Sequence, residues 1–313
     1  MLSKNARVFL SILCFASIGV FYRSSWILSV YHDSFPPQNS SQTCLMEYTP
    51  WLSKSMVASP EPFLTQKNNI TKQTFNWWTK LQSAGKSFQY YNETMKTLYW
   101  MFPHSPNLTQ PSPDHCRTCA VVGNSGNLKG SRYGPLIDFH DSVIRINQGR
   151  VKGYEKDVGN RTTHRVMYPI SASNLDNGTY LVFIPFKPQD LQWLIKSFTP
   201  SKEPNKSRLK ANKDLVVILS PTFIEYVHTV WLKFKKDIYS STGFLTLILS
   251  LHICDEVSLF GFGADGRGNW NHYWEEVVNV HHKGRIGHHD GSGEYEIIER
   301  LNEQKKIQLF KGW

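Results

Sequence analysis

Residues 116–128 read Cys-Arg-Thr-Cys-Ala-Val-Val-Gly-Asn-Ser-Gly-Asn-Leu, and the fold follows from how this stretch is read. Thr118 to Val122 is short, apolar and rich in β-branched side chains, which suits a buried strand. Gly123-Asn-Ser-Gly126 follows at once, with a polar segment behind it, so strand, tight turn and helix are expected in that order. Small residues at such a turn let backbone N–H groups approach a ligand, and a helix N-terminus favours an anion there. The spacing is not Gly-x-Gly-x-x-Gly and no Lys-Ser/Thr follows, which argues against dinucleotide dehydrogenases and P-loop enzymes. In isolation the reading as an ordinary glycine turn in a sheet protein is favoured.

Further apolar runs lie at Ser142 to Ile146, Tyr180 to Ile184, Leu215 to Leu219 and Val257 to Phe260, each bounded by polar residues, Gly or Pro. Helical stretches, notably Phe223 to Phe234 and Phe244 to His252, fall between several of them. Strands alternating with helices predict a doubly wound α/β sheet. Upstream, Phe75 to Met101 is amphipathic and closed by Pro103 and Pro106, so one or two helices are expected to pack on that core. Residues 31–65 carry Pro36, Pro37, Pro50, Pro60 and Pro62 among Ser, Thr and Asn, the composition of a stem or linker.

The chain has 313 residues, 40% hydrophobic and 19% charged, enough to bury the core of one large α/β domain. Its net charge of +10 suits an anionic partner, yet the cations are scattered in clusters as short as Lys233, Lys235 and Lys236. A nucleic-acid stripe would be denser, so no nucleic acid is expected. Lys4 and Arg7 precede an apolar run from Val8 to Tyr22 that Trp26 to Val30 extends past Arg23. The run is short against the roughly 20 residues of a typical span, so an uncleaved signal anchor and a cleaved signal peptide both fit, and the missing small-x-small site favours the anchor. The resulting division is a cytoplasmic tail (1–7), a transmembrane signal anchor (8–30), a stem (31–65) and a lumenal domain (66–313), oriented by the positive residues before the span.

Two compositional features agree with a lumenal domain. Asn-x-Ser/Thr acceptors begin at Asn39, Asn69, Asn92, Asn107, Asn160, Asn177 and Asn205, although Asn160 sits in a stretch where burial would block modification. Beyond Cys14 in the apolar run, Cys44, Cys116, Cys119 and Cys254 form an even set, the natural source of two disulfides in an oxidising compartment. Cys116-x-x-Cys119 also fits half a zinc site or a redox pair, but no second Cys-x-x-Cys is present.

The run from Cys116 to Tyr168 closely resembles the large sialylmotif of the sialyltransferases, through the opening stretch, Tyr133-Gly-Pro135, Asp138, His140-Asp141, Arg145-x-Asn147, Asp157-Val-Gly159 and Thr162-Thr-His164. Ser241-Thr-Gly243 through Cys254-Asp-Glu-Val257 to Gly261-Phe-Gly-Ala-Asp265 resembles the small motif, His272-Tyr-Trp-Glu275 the third, and His289 with Glu294 the very small motif. The resemblance extends from about residue 75 to the C-terminus. Trp77-Trp78, Leu81-Gln82, Val182 to Lys187 and Phe310-Lys-Gly312 make the chain most similar to β-galactoside α-2,3-sialyltransferases acting on Galβ1-3GalNAc. That implies one Rossmann-like, GT-A-variant glycosyltransferase domain, α/β with a central, mainly parallel sheet flanked by helices. It also implies a single-pass type II protein of the Golgi membrane with its catalytic domain in the lumen.

By the same resemblance the donor is CMP-sialic acid and the acceptors are galactose-terminated glycoprotein or glycolipid glycans, with a homodimer left open. Asn124, Asn147, Ser241, Gly243 and Gly263 are the implied donor-binding residues; amides and hydroxyls donate and accept, and glycines bring backbone close to the nucleotide. His272 is the implied partner of the departing phosphate, and His289 the implied base that takes the proton from the galactose 3-hydroxyl. Imidazole suits that work because it titrates near the working pH. Direct displacement inverts the anomeric centre and needs no second carboxylate, unlike a retaining glycosidase. Gln82, Tyr168, Ser171 and Tyr239 are the implied acceptor residues, Cys119–Cys254 ties the large and small motifs together, and Cys44–Cys116 is the residual pair.

No cofactor and no metal are expected. His281, His282 and His288 lie near His289, but there is neither a His-Glu-x-x-His frame nor an Asp-x-Asp triplet, and the single phosphate of CMP needs less neutralisation than a diphosphate. Departures from the family pattern are Ser240 in place of a frequent Pro, a shortened Lys196 to Asp214 segment without Tyr, and one stem cysteine where relatives carry several. Alternative readings are transfer through a 2,6 or 2,8 linkage, a Galβ1-4GlcNAc acceptor, and an inactive glycan-binding relative.

Overall fold

A computed structural model describes residues 50–103, 106, 108, 116–200, 209–233, 239–265, 267–275, 285–286 and 289–312. The chain runs through helices α1 (Pro50–Val57), α2 (Lys72–Leu81) and α3 (Phe88–Met101) into strand β1 (Thr118–Val122). Then come α4 (Gly134–Phe139), β2 (Ser142–Ile146), α5 (Glu155–Val158), β3 (His164–Met167), β4 (Tyr180–Phe183), α6 (Pro188–Phe198), β5 (Val216–Ile218) and α7 (Pro221–Tyr226). The rest is α8 (Thr242–Ile253), β6 (Glu256–Phe260), the short pair β7 (Arg285–Ile286) and β8 (His289–Asp290), α9 (Gly291–Glu303) and β9 (Gln308–Phe310).

Seven strands form one sheet in the order β5-β4-β3-β2-β1-β6-β9, and every pairing in it is parallel. The expected α/β class and mainly parallel sheet are therefore present. Alternate residues of β3, β4 and β5 enter two separate cores, because successive side chains leave a strand on opposite faces. Val182 and Val217 pack with Phe244, Leu245 and Ile248 of α8. Leu181, Phe183 and Val216 pack with Phe75 and Trp78 of α2, Tyr91 of α3 and Leu191 of α6. Helix α8, capped by the Ser241 hydroxyl on Phe244 N, is buried on nearly all sides, as expected of a helix inside a layered domain.

Strand β1 starts the sheet in its interior; β2 to β5 step away on one side, and β6 returns to pair with β1 on the other. The order reverses there, and at such a switch point loops leave the strand ends in opposite directions and open a crevice. Gly123 closes β1 against the residue that closes β6: its N–H donates to Phe260 O at 2.7 Å, and a Cβ on it would lie 2.3 Å from Gly261 O.

Residues 50–65 correct the expected stem boundary at residue 65. Leu52 is fully buried, Phe63 and Leu64 join the cores, and Phe63 bridges Leu219 beside the sheet edge. Prolines and serines dominate the composition here, while a few spaced apolar side chains do the packing. Residues 31–49, with the proposed span and tail before them, lie outside the described residues. Asn160, read as too buried for glycosylation, is exposed; its backbone N–H donates to Asp138. The Cys119–Cys254 disulfide joins β1 to the residue after α8, whereas Cys44 lies outside the described residues.

Candidate active site

A cleft of roughly 770 Å³ opens over the C-terminal ends of β1, β2 and β6. Asn124, Asn147, Ser241, Gly243 and Gly263, expected at the donor, all line it, together with His272, His289, Gln82, Tyr168 and Tyr239. Residues spread over more than 200 positions in sequence thus meet at the one place where this sheet order leaves a crevice.

The floor is the loop after β1. Gly126 N donates to Asn271 O at 2.7 Å and Tyr273 N to Asn124 O at 3.0 Å, so the segment carrying His272 is pinned onto this loop, and His272 itself bridges Ser125. His272 Nδ1 sits 3.0 Å from Glu275 Oε1 and its ring stacks on Trp274 at 4.5 Å. A carboxylate only accepts, so Nδ1 carries the proton and the pair holds the ring in place. The same hydrogen bond is the main reason the Glu275 carboxyl lies below its ordinary range.

Asn147 adopts a left-handed backbone, φ 54°, a conformation Asn tolerates better than most residues. The Ser171 hydroxyl donates to Asn147 Oδ1 at 2.8 Å, which fixes the carboxamide with its NH2 donors left for a ligand. Ser171, expected to face the acceptor, is buried and stands behind Asn147 rather than among the lining residues. Its place makes it a positioning residue for the Asn147 amide.

The opposite wall is aromatic. Tyr168 meets Phe186 edge-on at 5.4 Å, Phe186 meets Tyr239 at 5.8 Å, and Tyr239 meets the His289 ring edge-on at 4.8 Å. His289 Nδ1 lies 2.8 Å from the Tyr239 carbonyl oxygen; a carbonyl accepts only, so the proton sits on Nδ1 and Nε2 is the basic nitrogen. Gln82 reaches this side because Trp78, one turn earlier in α2, is buried and donates through Nε1 to Pro185 O at 3.1 Å.

A family model for glycosyltransferase family 29, the sialyltransferases, matches residues 63–306. The chain belongs to that family. The CMP-N-acetylneuraminate-beta-galactosamide-alpha-2,3-sialyltransferase 1 of Gallus gallus is 40% identical over 282 residues, 87% of this chain and 82% of its own. The protein of the same name from Mus musculus is 42% identical over 270 residues, 84% of this chain and 79% of its own. A crystal structure of a mammalian sialyltransferase in complex with Gal-beta-1-3GalNAc-ortho-nitrophenol superposes with a TM-score of 0.75 at 39% identity, covering 88% of this chain and all of that one.

Several lining residues of this sialyltransferase were not among the expected site residues: Lys187, Gln189, Asp190 and Trp193 of α6 and its start, Trp270, Asn271 and Tyr295. Pro188, at the first turn of α6 directly after the extended Lys187, is the one sequence signal for a helix starting there. Burial pushes the Asp190 carboxyl up to about 6.

Glu294 also lines the cleft, and its carboxylate receives Ser241 N–H at 2.7 Å and Ser241 Oγ–H at 2.5 Å. It couples the first turn of α9 to the cap of α8. Burial pushes it from 4.5 to about 7 against those hydrogen bonds. Its pKa is raised on folding, so its stabilising share is fully present below about 4.5 and is lost as pH rises through about 7. The whole window is worth up to about 3 kcal/mol. Glu294→Gln removes this share: with the opposing rise from His164, held down to about 4 by burial, common to both proteins, the variant should gain on the parent in melting temperature as pH rises from 4.5 to 7. Parallel melting-temperature profiles in variant and parent across that window would remove Glu294 from this role.

Proposed function

We propose that this sialyltransferase moves sialic acid from CMP-sialic acid to the 3-hydroxyl of a terminal galactose, with Galβ1-3GalNAc as the acceptor. The observation that carries the mechanism is the Nδ1–H of His289 held by the Tyr239 carbonyl in the cleft that also holds Asn147 and His272. With Nε2 basic, His289 takes the proton of the galactose 3-hydroxyl as that oxygen forms its bond to the anomeric carbon of sialic acid. The bond from that carbon to the CMP phosphate breaks on the opposite face, its electron pair stays on the phosphate oxygen, and the centre inverts. His272, steadied by Glu275, is placed for hydrogen bonding to the departing phosphate. A metal-independent reaction fits a donor whose leaving group carries one phosphate.

The 2,3 linkage is supported by the names of the relatives, and the acceptor by the disaccharide bound to the similar crystal structure. We place the chain in the Golgi membrane with its catalytic domain in the lumen, on the strength of the apolar run at 8–30 and the Asn-x-Ser/Thr acceptors. Among the described residues no helix is long and apolar enough to cross a membrane; residues 8–30 lie outside them.

An acceptor panel tests the assignment. Incubated with CMP-sialic acid, the full chain should sialylate Galβ1-3GalNAc with a kcat/KM at least about tenfold above that for Galβ1-4GlcNAc, a discrimination of about 1.4 kcal/mol. The product should lose its sialic acid to a sialidase specific for 2,3 linkages. Equal use of both acceptors, or a product resistant to that sialidase, would overturn the acceptor or the linkage respectively.

A further inference from the structure

Arg145 and Arg165 are partners in the parallel register of β2 and β3, and both side chains are buried, Arg145 completely. Arg145 Nε donates to Arg161 O and to Thr162 Oγ1 at 3.0 Å, and its Nη2 to Arg161 O at 2.7 Å. Arg165 Nη1 donates to the carbonyls of Asn147 at 3.2 Å and Gly149 at 3.1 Å. Arg145 Nη1 and Arg165 Nε have no hydrogen-bond partner, and among the described residues neither guanidinium forms an ion pair.

Two buried cations on neighbouring strands repel one another, and burial without a counter-anion is costly. Burial first, and the second arginine next, push Arg145 down to about 10, and burial lowers Arg165 as well; at neutral pH Arg145 is still charged. Among the described residues Asp138 is the only carboxylate that attracts Arg145, and its oxygens are taken by the backbone N–H groups of Asn160 and Arg161. Tyr273, which faces both arginines, is a neutral phenol whose hydroxyl donates to Arg150 O. Backbone carbonyls, the Thr162 hydroxyl and the already engaged Asp138 are what offset the pair among the described residues.

Their position gives the charge a use. Arg165 grips the turn from Asn147 to Gly149 from beneath, and a Cβ on Gly149 would touch Arg165 Nη1 at 3.0 Å and Asn124 Oδ1 at 3.3 Å. Asn124 and Asn147 line the cleft, so the Arg165 guanidinium lies directly beneath its floor, with Arg145 beside it on the neighbouring strand. We propose that Arg145 and Arg165 are positioning residues whose buried charges hold a positive potential under the cleft floor and draw in the phosphate of the donor. Fixed charge in a poorly solvated interior is screened less than charge on a surface lysine, and it costs no reorganisation when the phosphate gains charge on departure. The inference rests on the reading of this cleft as the CMP site.

The test compares CMP with cytidine, which differ in the phosphate alone. In equilibrium binding to the full chain, CMP should bind at least about tenfold more tightly than cytidine, about 1.4 kcal/mol. In Arg165→Gln that ratio should fall by about tenfold while cytidine affinity changes little. Arg165→Lys, which keeps the charge but loses the planar fork, should recover most of the ratio. Arg145→Gln, on the adjacent strand, should lower it independently. If cytidine and CMP weaken together, the arginines are only staples for the turn and the inference falls. If the parent chain binds CMP no better than cytidine, the inference falls without any variant. If the parent binds neither, it is the donor assignment of the cleft that has failed.

Discussion

His289→Ala lowers sialyl transfer by about 10²- to 10⁴-fold, the range of a lost general base, with melting temperature and CMP binding close to those of the parent. The ring is half-exposed and sits at the start of α9, its Nδ1–H on Tyr239 O and its edge on the Tyr239 ring, so its loss leaves no buried cavity. Because the hydrogen bond comes from the backbone of residue 239, Tyr239→Phe keeps the imidazole oriented. Its effect should fall on KM for the acceptor rather than on the chemical step. Single-turnover rates with saturating CMP-sialic acid separate the two. A His289→Ala protein that retains transfer within about threefold of the parent would exclude His289 as the base, since a lost base costs far more than that.

The sheet was legible where strands are mostly apolar. Thr118 to Val122, Ser142 to Ile146 and Val257 to Phe260 bury nearly every residue, so composition alone marks them. Strand β3 escaped as a strand in its own right because it reads His-Arg-Val-Met, yet all four residues are buried. His164 stacks on Tyr180 at 4.8 Å, burial holds it down to about 4, and Arg165 is tied up by carbonyls. Polar residues satisfied inside the fold defeat a pattern that counts hydrophobicity. Helix α7 ends in a wider turn of helix over Val227–Leu232, which periodicity at 3.6 cannot anticipate.

Site residues were legible through motif order, and the cleft collects all but one of those expected at donor and acceptor. Ser171 is the exception: short polar side chains carry no sign of whether they face a ligand or orient a neighbour, and only the bond to Asn147 Oδ1 decides. Lys187 to Trp193 went unread for the opposite reason. They carry no unusual chemistry in sequence, and they reach the cleft because Trp78 and Pro185 lock α2 beside the start of α6. Gly263 shows what the motif was protecting: its φ is +85° and a Cβ would lie 2.5 Å from the Tyr295 ring, so backbone and α9 meet there only without a side chain.

Removing the Cys119–Cys254 disulfide by the paired change Cys119→Ala and Cys254→Ala should cost about 2 to 5 kcal/mol. The bridge closes a loop of 135 residues, and loop-closure entropy for that length gives about 5 kcal/mol, the upper end of the range. Residual structure in the unfolded chain lowers the figure, while two buried sulfur positions left empty raise it, since Cys119 is fully buried and Cys254 nearly so. At about 2 to 4 °C per kcal/mol for a domain of this size, the melting temperature should drop by about 5 to 20 °C. Activity should follow, because the bridge holds β1 to the residues that lead into β6, and the loops after those two strands, at Gly123 and Gly261, form the cleft floor. Opening that seam separates Asn124 from Gly263 before the rest of the sheet unfolds, so on heating, transfer should be lost at temperatures where the far strands β4 and β5 remain protected in hydrogen exchange. An unchanged melting temperature, or uniform exchange across the sheet, would place the mechanical centre of the domain elsewhere.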